Sequence, residues 1–415
     1  MKFFKLLLIV IICYNFFQCT ENHEDLDVKN QQRTLVRFKK TLNIPRYSTH
    51  ELIIKYNSGV TKAQKQALRN LYGVVYYQIC DLCDDESIEK WDFGNNVNIE
   101  DKKLSIQGGS GGPEGDITNV DYEFTFRLEG ENDLGVLGTY GSGYTSQIVG
   151  ANNGVTIAVL DTGIDANYPL FATPFLYNSS GVAVSGELSG WDFVNHDDNC
   201  FDDYNLIHGT KVTYILNKKL NEEGIPHQIL PVKVCNEYGV ATYFNILCGL
   251  KYALPRANIV QMSLGWYGSD SDVNSIFSSL IEEYQRRVLI VTSAGNNKSN
   301  NDSIVHYPSS YPQRNILAIA ASNMENDNIA DFSNYGSLSV DFYAPGEGIE
   351  FFDIYGDTVS ISGTSYSAPW VSALSAKILY DSGMTYNPYQ IIEKLTIIGV
   401  NESYSKPVKY NKLLN

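Results

Sequence analysis

Ile361-Ser362-Gly363-Thr364-Ser365-Tyr366-Ser367-Ala368-Pro369 reads as a glycine-led turn that delivers one serine, Ser365, to the start of a predicted helix. A serine hydroxyl is a poor nucleophile at neutral pH, so a chemical role for Ser365 requires a histidine base, a carboxylate to orient it, and donors for a developing oxyanion. The chain offers each. Gly154-Val155-Thr156-Ile157-Ala158-Val159-Leu160-Asp161 is an apolar, β-branched run that predicts a buried strand. Asp161 ends it, at the carboxyl edge where open α/β sheets place their sites. Of six histidines, only His208 heads a glycine-threonine turn into an apolar-periodic segment, His208-Gly209-Thr210-Lys211-Val212.

Asp161, His208 and Ser365 occur in the chain order of subtilisin, which differs from the orders of chymotrypsin and the α/β-hydrolases. From about residue 150 to 415 the sequence resembles the subtilisin-like serine peptidases, and a weaker likeness to that family's inhibitory propeptide covers about 48–128. The resemblance implies an exported serine endopeptidase with catalytic Asp161, His208 and Ser365, with Asn296 as oxyanion donor, made as a self-processed zymogen. It also implies two substrate edges, Gly239-Val240-Ala241 and Ser263-Leu264-Gly265, with Ala294 and Gly295 lining the pocket for the residue before the cut. His306 falls where relatives usually carry glycine or alanine at that pocket's floor, which implies a preference for small or polar residues over large aromatics. Lys211, Tyr214 and Trp370 depart from the family pattern and put weak or narrowed activity in question, Tyr214 most because a bulky ring replaces a residue that permits close helix packing. The alternative is a catalytically silent relative that binds peptides or regulates. An esterase is disfavoured, because no Gly-x-Ser-x-Gly elbow surrounds Ser365.

Bulk properties set wider limits. The 415 residues allow a large core and one small extra domain, and 43% hydrophobic with 19% charged residues describe an ordinary globular chain. A net charge of −16 argues against nucleic acid as a partner, since phosphate binding needs a basic face. The first 20 residues, charged at Lys2 and Lys5 and apolar from Leu6 to Cys13, read as a secretory signal. Phe16-Phe17-Gln18-Cys19 resembles a lipoprotein signal in which Cys19 becomes a lipidated N-terminus. A membrane is therefore expected only through that lipid or a signal anchor, with residues 21–47 as linker.

Cys80-Asp81-Leu82-Cys83 has redox or half-zinc spacing without a second pair nearby, so no metal site is expected there. Cys200, Cys235 and Cys248 could supply one disulfide, its pairing undetermined. No cofactor is required. The acidic loop carrying Asp197, Asp198, Asp202 and Asp203 reads as solvated or as a structural calcium site.

Residues 48–128 predict a small β-α-β-β-α-β domain: strands near 51–56, 74–79, 87–93 and 121–126, a helix from the cap Thr61 to Gly73, another near 99–104, and a flexible loop through Gly108-Gly109-Ser110-Gly111-Gly112. Residues 129–149 read as the processing junction, with no residue marking the scissile bond. Beyond 150, short apolar strands at 229–234, 259–265, 288–296 and 316–321 alternate with helices, including 242–254, 367–380 and 388–395. The fold expected is a three-layer α/β subtilisin-like domain with a mostly parallel sheet, preceded by a ferredoxin-like α+β prodomain.

Overall fold

The computed structural model describes residues 45–82, 86–108, 115–128, 154–168, 176–177 and 189–415. The expected signal, Cys19, Cys83, the loop 109–112 and the expected junction 129–149 lie outside them. Among the described residues no helix is long and apolar enough to cross a membrane.

Two sheets organise the chain. The N-terminal one is built from β1 (Arg46–Tyr56), β2 (Tyr76–Ile79), β3 (Ile88–Asp92) and β4 (Ile117–Arg127), in the order β2-β3-β1-β4 with every neighbour antiparallel. Helices α1 (Lys62–Tyr72) and α2 (Ile99–Gln107) cross over it, which gives the ferredoxin-like order. The local signals are direct. Thr61 and Gln64 form a reciprocal capping box on α1, and Gly73 ends it in the left-handed conformation at φ 71°. β1 and β4 run longer than their apolar cores predicted, because outer residues of each strand pair with the other; Arg46 faces Thr125.

Among the described residues the second sheet has nine strands. Its parallel core is β14 (Phe342–Pro345), β13 (Ile316–Ser322), β11 (Leu289–Ser293), β9 (Ile259–Met262), β5 (Val155–Asp161), β7 (His227–Lys233) and β6 (Trp191–Asp192), in that order. The pleat of β5 shows why it reads as a continuous apolar run. Ala158 and Leu160 enter one core with α4 (Tyr243–Ala253) and α5 (Ile276–Glu283), while Val155, Ile157 and Val159 enter the other with α3 (His208–Glu222), α6 (Thr364–Asp381) and α7 (Pro388–Ile398). A strand covered on both faces has no polar side to alternate with. The result is a three-layer α/β fold.

From β5 the chain first fills the β7 side and then returns to β9, so the sheet reverses direction between β5 and β9. Such a switch point opens a crevice at the carboxyl ends of the strands. Asp161, Ser263 and Ser293 stand at or just past the ends of β5, β9 and β11.

The two sheets meet. β4 pairs antiparallel with β8 (Val240–Thr242), Thr125 facing Thr242, Phe126 facing Ala241 and Arg127 facing Val240. Phe124 stacks on Tyr243 at 4.6 Å, and Phe126 packs against Trp266 at 5.4 Å. Cys80, just past β2, is disulfide-bonded to Cys248 on α4. This corrects the expectation of a pair among Cys200, Cys235 and Cys248: the N-terminal domain brings Cys80 onto α4, while Cys200 and Cys235 are buried thiols.

Candidate active site

β5 ends on Asp161, fully buried, and α3 begins on His208, 2% exposed. The approach between them is set by Gly209. A Cβ there would lie 2.2 Å from the Gly163 carbonyl and 3.1 Å from the Asp161 Cβ, so only glycine lets the first turn of α3 come this close. The turn is also pinned by polar contacts. The Gly209 N–H donates to Thr162 Oγ1 at 2.9 Å, and the Thr210 N–H and hydroxyl donate to buried Asp202 at 2.9 and 2.7 Å. His208 Nδ1 then donates to Asp161 Oδ1 at 2.7 Å, and the same oxygen accepts from the Thr162 N–H at 2.8 Å. That bond fixes the imidazole tautomer with Nε2 as the unprotonated, accepting nitrogen.

Ser365 is the second residue of α6 and buried. Helix α6 begins at Thr364, three residues before the expected start, and contains Pro369. A proline has no N–H, so the Ser365 carbonyl four residues earlier lacks its helical donor. It accepts instead from Ser263 Oγ at 2.7 Å, and Gln261 Nε2 in turn donates to Ser263 Oγ at 2.8 Å. The Ser365 hydroxyl lies 3.4 Å from the Ser263 carbonyl, a long contact.

Asn296 follows β11. Its Oδ1 accepts from both the N–H and the hydroxyl of Thr364, each at 2.9 Å. With the oxygen so held, the amide nitrogen must be the group turned toward Gly363 and the serine turn; it lies 3.7 Å from where a Cβ on Gly363 would stand. Thr364 is the residue sequence reasoning missed. It stands inside the quoted turn, yet its reach to Asn296 spans 68 positions.

His208, Ser365, Asn296, Ser263, Leu264 and Gly265 border one small cavity, together with Ser293, Gly295, His306 and Leu128. Gly239, Val240 and Ala241 form the edge beside it, with Val240 and Ala241 already paired to β4, and the Leu128 N–H donates to the Gly239 carbonyl at 2.9 Å. Ala294 is the exception among the expected lining residues. Its side chain packs with Ala320, Val340 and Tyr343 on the far side of the strand, because side chains alternate and Ser293 and Gly295 take the cavity face.

The departures from the family pattern are absorbed by neighbours. The Tyr214 ring packs edge-on against Phe351 at 5.1 Å, so the helix at that point meets an aromatic rather than a close backbone. Lys219 sits over the Trp370 ring at 3.9 Å, and Lys211 is buried with its ammonium 5.4 Å from the Tyr366 ring. The acidic loop stays largely in solvent, with Asp197 and Asp203 exposed and Asp198 half-buried. Asp202 is buried against Thr210, and Asp203 is ion-paired with buried Lys233 at 2.5 Å. Among the described residues its carboxylates do not converge as a cation site; the one group of three that does is His50, Glu51 and Asp92 on the N-terminal sheet.

Comparisons with known proteins agree with this architecture. The Subtilase family model matches residues 152–398. An intracellular serine protease of Paenibacillus polymyxa is 30% identical over 233 residues, 54% of this chain and 66% of its own length. Proteinase R of Parengyodontium album is 30% identical over 237 residues, 55% of this chain and 54% of its own. The chain therefore spans about half to two thirds of the relatives it matches. A crystal structure of a cold adapted subtilisin-like serine proteinase superposes with TM-score 0.50 at 24% identity, covering 68% of this chain and 98% of that one, a likeness of fold. With the family model covering more than half of its length, the chain belongs to the subtilase family.

Proposed function

We propose that this protein is a serine endopeptidase, exported and made as a self-processed zymogen, whose catalytic residues are Asp161, His208 and Ser365. The observation that carries the reading is the 2.7 Å bond between Asp161 and His208, on the same cavity as Ser365 and Asn296. Asp161 holds the imidazole with Nδ1 protonated, which makes Nε2 the basic nitrogen. His208 takes the Ser365 proton as the hydroxyl attacks a peptide carbonyl, then returns it to the leaving amine; water repeats the sequence on the acyl-enzyme. The oxyanion accepts from the Asn296 amide and from the Ser365 N–H, which lies in the first turn of α6 where the helix dipole is favourable.

The substrate is a peptide or protein segment laid as an extra strand along β8. The N-terminal domain occupies that edge with β4, which supports its reading as an intramolecular inhibitor, severed from the peptidase backbone by cleavage in the junction 129–149. The leader at residues 1–20 directs the chain out of the cytoplasm, to the medium, the periplasm or the envelope through Cys19. Mass spectrometry of the mature chain from the membrane fraction tests this: a chain beginning beyond Thr20 without acyl mass rules lipidation out.

The central test is a fluorophosphonate probe on the purified full chain, with its processing followed by intact mass. The expected result is label on Ser365 and loss of the junction, both absent in Ser365→Ala. A folded chain that neither labels nor processes is instead the silent, peptide-binding relative.

A further inference from the structure

Resting on the endopeptidase reading, we propose that Gln261 and Ser372 are positioning residues for Ser365: they form a buried brace that reaches the nucleophile through the Ser263 hydroxyl and replaces the helical bond that Pro369 deletes.

Gln261 is a polar residue in an apolar place. β9 reads Ile259-Val260-Gln261-Met262 between β5 and β11, and Gln261 stands opposite Val159 and Val291. It is fully buried. An amide buried there is destabilising unless both of its ends find partners. Both do. Its Nε2 donates to Ser263 Oγ at 2.8 Å, and its Oε1 accepts from Ser372 Oγ at 2.5 Å. Ser372, also fully buried, lies on α6 nearly two turns beyond Ser365. A serine inside a helix commonly bonds a carbonyl of its own preceding turn; this one reaches across to β9.

The direction of every bond is forced. The Ser365 carbonyl only accepts, so the Ser263 hydroxyl, 2.7 Å away, gives it its proton. That hydroxyl has only lone pairs left, and its second partner must be a donor. Gln261 therefore turns its nitrogen to Ser263 and its oxygen to α6, where the Ser372 hydroxyl supplies a proton. The brace leaves α6 at Ser372, crosses β9, and returns on the carbonyl that Pro369 leaves without a helical donor. Turning the amide over breaks it. Ser263 would then give its proton to Gln261 Oε1, and the Ser365 carbonyl would be buried without a donor.

What the brace holds is the residue that reacts. Ser263 meets Ser365 twice, with its hydroxyl on the Ser365 carbonyl and its own carbonyl 3.4 Å from the Ser365 hydroxyl. It also opens the edge Ser263-Leu264-Gly265, which borders the cavity with His208 and Asn296. That edge is held at its far end by β10 (Trp266–Tyr267), paired with β12 (His306–Tyr307). A peptide on the edge and the hydroxyl that attacks it are thus tied to one side chain, and a misplacement of about 1 Å between reacting groups can cost 10²-fold in rate. A fault in the brace should appear in kcat more than in KM.

The test reverses the brace while keeping its shape. In Gln261→Glu the carboxylate can only accept, so it draws the Ser263 proton away from Ser365; once protonated it donates to Ser263 as the amide does. Burial raises such a carboxyl above its ordinary range, toward neutral pH. Of the elements packed on Gln261, β11 carries no titratable group, β5 carries Asp161, and α6 carries Tyr366, Lys377, Tyr380 and Asp381. Among the described residues none of these hydrogen-bonds Gln261.

The full chain of each variant is expressed, allowed to process, and assayed from pH 6 to 9 beside wild type, with a reductant present to release the N-terminal domain. At pH 9 Gln261→Glu should show kcat about tenfold below wild type, the worth of one modest hydrogen bond, with KM little changed. Its ratio to wild type should climb back as pH falls. Ser263→Ala should lose about as much at every pH, and in that background Gln261→Glu should add neither loss nor pH dependence. Ser372→Ala frees the amide to turn over and should lower kcat severalfold alone and not at all beside Ser263→Ala; this cycle decides if the buried carboxyl prevents folding. A Ser263→Ala enzyme with wild-type kcat, losses that simply add, or a pH-independent Gln261→Glu ratio overturns the proposal while the endopeptidase stands. A wild type whose Ser365 takes no fluorophosphonate and cuts no peptide overturns the endopeptidase reading, and the proposal with it.

Discussion

Thr364 controls Asn296 through two bonds to one oxygen, and an amide so held cannot flip. The Thr364 N–H is backbone and survives any substitution; the hydroxyl does not. Thr364→Val keeps the shape, removes one of the two bonds, and should lower kcat about tenfold with KM little changed, since one modest hydrogen bond of about 1.4 kcal/mol is a factor of ten. Asn296→Ala removes the donor itself; in subtilisin the equivalent loss is about 10²–10³ in kcat, and the same range is expected here. Steady-state kinetics of both variants decides: a Thr364→Val enzyme equal to wild type would mean that packing alone orients the amide. Asp161, His208 and Ser365 were legible as candidates because each stands in a strand-end or turn pattern that few residue types satisfy, and Asn296 only through the family resemblance those three carry. Thr364 was not, because a threonine before a nucleophile has no meaning until the chain folds back on it.

Two helices of the three-layer domain begin on carboxylates borrowed from the N-terminal sheet. Glu123, on β4, accepts from the Tyr243 N–H at 3.0 Å and the Phe244 N–H at 3.3 Å, at the start of α4. Asp121, two residues earlier on the same face, accepts from the Ile276 N–H and the Tyr243 hydroxyl, each at 2.7 Å, at the start of α5. Helix N-termini leave donors unpaired, and an acid there satisfies them. Burial nevertheless opposes ionisation, pushing Glu123 up to about 8 and Asp121 up to about 6, from ordinary values of 4.5 and 3.8. The docked domain therefore holds protons that the undocked one releases. Docking is strongest below the ordinary carboxyl range and weakens as pH rises from about 4 to about 8. In chain cleaved at the junction and kept reduced, gel filtration should show the N-terminal domain retained at pH 5 and shed at pH 9, and Glu123→Gln, which cannot ionise, should retain more of it at pH 9. Release favoured by acid instead would contradict the assignment. The elements themselves were legible, α1 down to its capping box, because helix caps are local. That Glu123 and Asp121 cap helices lying 120 and 155 residues further on was not, since alternation along β4 shows only that they share a face.

At the scale of the whole chain, one covalent bond changes what cleavage can accomplish. Cys80 and Cys248 are 168 residues apart and join the N-terminal domain to α4. Spacing alone pointed elsewhere, to the three later cysteines, because nothing local shows that two domains will bring a β2 end and a helix together. A cut between residues 128 and 150 would leave the inhibitor tied to its enzyme. The tether keeps the domain at high effective concentration, so that even weak docking along β8 continues to block the edge. Buried Cys200 and Cys235 offer no ready thiolate for exchange, since burial raises both thiols well above their ordinary range. Release then needs an external reductant or further proteolysis. Processed protein should run as one band without reductant and as two with it, and its activity should rise on adding dithiothreitol. Cys80→Ser should process to two chains that separate without reductant and be active from the start. If wild type separates under non-reducing conditions, the two cysteines are not joined in the processed protein and inhibition ends at the cut.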